Sequence, residues 1–174
     1  MDKETIDKLL AVEKRIIADN GSFVDKYTIN MNYPLRLRII LGVINDANLQ
    51  FELSITQSKK FQIRINLHLL DGDSKIGLSR LDYNSNHHNP ATYNEQTPKE
   101  LRKYKNKWFI NESHIHYAVE GFKDLAWAAP LKEINFPVDN INNENLYSTF
   151  SSAIEAYAKF LNIKTQIIIN RLML

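Results

Sequence analysis

The 174-residue chain predicts an α+β fold: an antiparallel β-sheet meander with N- and C-terminal helices packed on one face. Three observations predict it. Apolar residues recur at helical spacing near both ends, and between residues 35 and 83 they alternate with polar ones. The alternating stretches are joined by connections too short for crossover helices, which makes neighbouring strands antiparallel. With 44% hydrophobic and 24% charged residues, the composition is that of a packed globular core and excludes a disordered tail.

Residues 3–18 read as the first helix. Ile6, Leu9, Leu10, Val12, Ile16 and Ile17 fall at helical spacing, Asp2 stands where an N-cap belongs, and Asn20-Gly21 is a stop signal. Strands are expected at 35–44, 48–57, 60–70 and 75–83. In the first, Leu35, Leu37, Ile39 and Leu41 alternate with Arg36 and Arg38. In the third, Phe61, Ile63, Ile65, Leu67 and Leu69 alternate with Gln62, Arg64, Asn66 and His68. A period of two sends one row of side chains to the core and the other to water, so Phe61, Ile63, Ile65 and Leu67 should face the helices. Asn45-Asp46, Ser58-Lys59 and Asp71-Gly72-Asp73 supply the turns.

Residues 83–112 break the pattern and read as a long polar loop inside a single domain spanning residues 1–174. Within it Thr97-Pro98-Lys99-Glu100 has the form of a capping box with proline at the first helical position, opening a short helix through Tyr104. Residues 113–119 return to strand, Gly121 turns, and residues 125–129 pair back. A second helix is expected over 144–161, with Leu146, Phe150, Ala153, Ile154, Tyr157 and Leu161 on one side. The β-branched tail at 165–169 suits a closing strand or a helical end.

Several function classes are excluded at once. Without cysteine there is no thiolate metal site and no thiol nucleophile. Five glycines and no glycine-rich phosphate loop argue against a nucleotide cofactor, and no cofactor is expected. The N-terminal residues carry charges of both signs, and no apolar run approaches the roughly 20 residues of a bilayer span. A cytoplasmic protein without a membrane partner is therefore expected. A net charge of +2 is too small to imply nucleic acid by itself. The distribution says more: Lys99, Arg102, Lys103, Lys105 and Lys107 stand against the single Glu100 and are the candidate nucleic-acid-binding residues.

Four of the five histidines fall in two tight groups, His87-His88 and His114-x-His116. On a strand, His114 and His116 point to one face while Ile115 and Tyr117 point to the other. Three chemistries suit such a cluster. One is acid–base work on a phosphodiester, with Arg80 on the phosphate and Asp82 orienting an imidazole. Another is a divalent metal site completed by an acidic residue. The third is a hydrogen-bond network closing the loop onto the sheet. The reading adopted is the first: His88, His114, His116, Arg80 and Asp82 as the catalytic group, with no metal.

The motifs Arg80-Leu81-Asp82, His87-His88-Asn89-Pro90 and His114-Ile115-His116-Tyr117-Ala118-Val119-Glu120-Gly121-Phe122-Lys123-Asp124 occur in an order that resembles an uncharacterised family of small bacterial and phage proteins. The histidine layout also resembles that of TumE-type toxins of toxin–antitoxin modules. The resemblance covers about residues 76–130. It implies a toxin-like or mobile-element role; taken with the histidine group, the first hypothesis is a metal-independent, ribonuclease-like protein acting on RNA, with RNA and a cognate antitoxin as partners. The alternative from another class is a non-catalytic protein that occupies a host protein by binding it. Open convergence of two histidine rings on a cleft would favour catalysis, and an exposed patch would favour binding.

Overall fold

Alternation from Leu35 onward produces the expected meander. In the computed structural model, which describes residues 1–31, 34–58, 64–141 and 146–171, strands β4 (Leu35–Val43), β5 (Asp46–Ser58), β6 (Arg64–Asp71) and β7 (Gly77–His88) lie side by side. Strands β8 (Trp108–Tyr117) and β9 (Trp127–Pro130) continue the sheet, each antiparallel to its neighbour. Two short strands, β1 (Arg15–Ile17) and β2 (Phe23–Val24), extend it beyond β4, giving eight strands in the order β2-β1-β4-β5-β6-β7-β8-β9. Outside this sheet, β3 (Lys26–Met31) pairs in parallel with β10 (Gln166–Arg171), so the tail is a strand.

Register decides which face is dry. Leu37, Ile55, Leu67, Leu81, Ile115 and Ala129 form one cross-strand row. The row Ile39, Leu53 and Leu69 lies beside it. Apart from Ala129, these side chains pack in one core with Phe150, Ala153, Ile154 and Tyr157 of α3 (Leu146–Phe160) and with Leu9 of α1 (Lys3–Ala11). Ile65 and Leu67 thus face the helices as expected; Phe61 and Ile63 lie outside the described residues.

The first helix is shorter than its periodicity predicts. Asp2 does cap it, accepting from Thr5 N at 2.8 Å, but it ends at Ala11 and Ile16 enters β1. The cause is tertiary. Lys14 is fully buried and its ammonium donates to Leu10 O, Val12 O and Leu161 O at 2.9–3.0 Å. It thereby satisfies carbonyls at the C-terminal ends of α1 and α3 together, which no i→i+4 ladder would do. Burial lowers its pKa to about 8.

The expected loop at 83–112 is also shorter: residues 83–88 belong to β7 and 108–112 to β8, leaving 89–107 as the connection. Two bulges explain why the strand pattern breaks early. Asn84 (φ 51°) and Asn111 (φ 49°) are left-handed, a conformation asparagine tolerates, and the β7–β8 register shifts around them. The helix inside the loop, α2 (Lys99–Arg102), forms without the capping box: Thr97 turns its hydroxyl to Asn94 instead. Leu101 and Tyr104 pack on Trp127 and Ala129, tying the connection to the β9 edge.

Candidate functional site

The face of the sheet away from the helices is polar, and the register sets its side chains in rows. Arg38, Ser54, His68, Arg80 and His116 stand opposite one another across β4–β8; Arg36, Thr56, Asn66, Asp82 and His114 form the adjacent row. Alternation therefore puts Arg80, Asp82, His114 and His116 together, as their spacing predicts.

Asp82 is the hub. Its Oδ1 accepts from Asn66 Nδ2, and its Oδ2 lies 3.0 Å from Arg80 Nε, 3.0 Å from His116 Nε2 and 3.6 Å from His114 Nε2. Each of the two imidazoles donates its other nitrogen to a backbone carbonyl: His114 Nδ1 to Glu112 O at 2.7 Å, His116 Nδ1 to Leu125 O at 2.8 Å. Both rings are 0% exposed, whereas the Arg80 side chain is 30% exposed. Burial raises the Asp82 carboxyl, but its hydrogen bond with His116 and the Arg80 charge outweigh burial and hold it below the ordinary carboxylate value. Burial, reinforced by charge on His116, takes His114 down to about 4.

His87, rather than His88, completes the cluster. Its ring centroid lies 4.4 Å from that of His116 and 5.6 Å from that of His114. Its Nε2 is 3.0 Å from both Asn89 Oδ1 and Ala126 O, two acceptors that fix the proton there. Burial lowers its pKa to about 4 as well. A period of two counted from Arg80 and Asp82 reaches His88. The extra residue at Asn84 passes that place to His87. His88 is exposed, stacked on Trp108 at 4.0 Å and bonded to Asn106 Oδ1.

The basic run 99–107 packs on β9 through Leu101 and Tyr104, reaches the histidine cluster only at Lys107, over the Phe109 ring, and much of its charge is engaged within the chain. Lys103 and Lys107 pair with Glu133, and Lys107 also with Glu112. Arg102 donates to Thr97 O and Glu95 O. Lys99 and Lys105 are exposed.

Five contributors were not singled out from the sequence. Asn66 shares the Asp82 face by strand parity. Asn89, fully buried, holds Tyr104 O and Ala128 O with its amide nitrogen and accepts from Ala128 N with its oxygen, clasping the connection to β9. Arg36, Arg38 and Arg64 are exposed on the wet face, and their signal is the basic residue at alternate positions of an amphipathic strand.

The arrangement is a sealed polar network. The rings converge, but His114 and His116 are fully buried, and the carbonyls of Leu125 and Ala126 hold His116 and His87. His116→Gln can reproduce one of its hydrogen bonds at most, so a lower melting temperature is expected; an unchanged melt would show that the network does not support the fold.

No helix among the described residues is long and apolar enough to cross a membrane. No curated protein and no solved structure matches the chain. A family model does, over residues 1–163, described as a family of unknown function, and the chain belongs to that family, DUF6978.

Proposed function

We propose that the protein binds RNA in the cytoplasm through the arginine-bearing face of its sheet, as part of a toxin-like or mobile-element system. One observation carries the reading: Arg36, Arg38 and Arg64 are exposed on one face, with the half-buried Arg80 beside them, across β4–β7. Residues two apart on a strand are about 7 Å apart and strands about 4.8 Å apart, so these guanidiniums span a surface that an extended phosphate backbone can follow. The TumE-like histidine layout supports an RNA-directed role with a cognate antitoxin. The buried network then serves to hold Arg80 and the β7–β8 pair, and cleavage by His114 and His116 would require these fully buried rings to become accessible.

The test is anisotropy of a labelled single-stranded RNA. Affinity should fall as salt rises, since phosphate contacts release counterions. Arg36→Ala/Arg38→Ala/Arg64→Ala should weaken binding about tenfold or more at low salt and flatten the salt slope, with the melt nearly unchanged because the sites are exposed. Lys99→Ala/Lys105→Ala, on the β9 edge, should change little. Equal affinity of wild type and the arginine variant would sink the reading, and RNA fragments on a gel would restore the ribonuclease one.

A second reading, a non-catalytic binder of a host protein, is favoured by the His88–Trp108 stack beside Ile110, with Trp108 64% and Ile110 70% exposed. A partner retained by wild type and lost by Trp108→Ser, together with no RNA affinity, would select it.

A further inference from the structure

The hydrogen-bond roles inside the buried cluster do not close. His116 Nδ1 faces the carbonyl of Leu125 and must donate. Its Nε2 is 2.9 Å from Arg80 Nη2, which only donates, and 3.0 Å from Asp82 Oδ2, a carboxylate oxygen that only accepts. One of those two contacts is unfavourable in any single protonation state. His114 repeats the problem more simply. Its Nδ1 donates to Glu112 O, and its Nε2 is buried without a hydrogen-bond partner, aimed at Asp82 Oδ2 from 3.6 Å.

We infer that Asp82 Oδ2, His114 Nε2 and His116 Nε2 form a three-ligand site for a divalent transition-metal ion of the zinc class. The three atoms lie within 4.8 Å of one another. Bonds of about 2.0–2.2 Å in tetrahedral geometry place ligand atoms about 3.3–3.5 Å apart, so small shifts suffice. Two imidazoles with one carboxylate select zinc, cobalt or nickel over magnesium and calcium, which take oxygen ligands. The supporting contacts are those a metal site uses. Both rings are oriented by donation to backbone carbonyls, and Asn66 holds Asp82 Oδ1 so that Oδ2 is presented.

Arg80 is the competitor. Its guanidinium occupies the mouth of the triad through Asp82 Oδ2 and His116 Nε2. A bound ion repels it toward the wet face, where the side chain is already 30% exposed. The site stands independently of any RNA binding.

Protein stripped with a chelator and desalted is titrated with Co2+ and with Zn2+. The expected result is one equivalent of Co2+ with visible absorption of a four-coordinate N/O site, displaced by Zn2+, and a higher melting temperature with Zn2+. His114→Gln and Asp82→Asn should each weaken Zn2+ binding about tenfold or more. His68→Gln, on the same face but outside the triad, should bind like wild type, and Arg80→Ala should bind several-fold tighter. A wild-type protein with no Co2+ absorption and no Zn2+ effect on melting overturns the site. So does undiminished affinity in folded His114→Gln. If both ligand variants fail to fold, the wild-type Co2+ spectrum decides.

Discussion

Leu67→Ala is expected to lower the free energy of unfolding by about 2–5 kcal/mol, against less than about 0.5 kcal/mol for Lys105→Ala. Leu67 is 0% exposed and sits in the central cross-strand row between Ile55 and Leu81, within the core that α3 covers. Deleting three carbons there removes apolar burial and leaves a cavity that flanking strands cannot collapse into without breaking register. Lys105 stands exposed on the 89–107 connection, within cation–π range of Tyr93. Urea melts of the two variants check the contrast, and equal losses would mean that the dry face has been misassigned.

Stability in the presence of a chelator should decline as pH falls from about 6.5 to about 4. His87 and His114 are held near 4 in the fold by burial, against an ordinary value of 6.5. Over that window the unfolded chain takes up protons that the folded one refuses, so stability is complete above 6.5 and drains as the pH drops. Each histidine contributes a slope of up to about 1.4 kcal/mol per pH unit. Below about 4 the folded rings protonate too and their contribution to the slope ends. Asp82, held below its ordinary value, acts in a lower window: its stabilisation is present above the ordinary carboxylate value and is lost as pH falls through its folded one. Urea midpoints across the range should fall steeply in wild type and less in His114→Gln. A flat profile between about 6.5 and 4.5 would contradict the buried neutral rings.

Where a local signal and the tertiary fold agree, the residues announce their places. The alternation of Leu37, Ile55 and Leu67 with Arg38, Ser54 and His68 requires only that one face be wet, and it places Arg80, Asp82, His114 and His116 together. What was hidden depends on contacts far along the chain or on a single unusual backbone angle. Helix α1 stops because Lys14 reaches Leu161 O, a partner 147 residues away. Strands β1 and β2, of three and two residues, are too short to show a period. Asn84 shifts parity by one residue, which is why His87 and not His88 joins the cluster. The charges of Lys103 and Lys107 look free until Glu133 is brought to them by the turn after β9.

The parallel pairing of β10 with β3 has a kinetic consequence. Gln166 meets Lys26 and Arg171 meets Met31, partners about 140 residues apart, whereas strands β4 to β7 each pair with the next strand in the sequence. Loop-closure entropy therefore favours the meander forming first and the β3–β10 ribbon docking last. On a ribosome, β3 is made early and waits for a partner until nearly everything between them has emerged. During that wait Ile29 and Met31, both buried in the finished core, sit on an unpaired strand edge, the kind of surface that invites pairing with another chain. Crowded synthesis should thus tax the yield of this protein through β3, and a chaperone that shields that strand should relieve it.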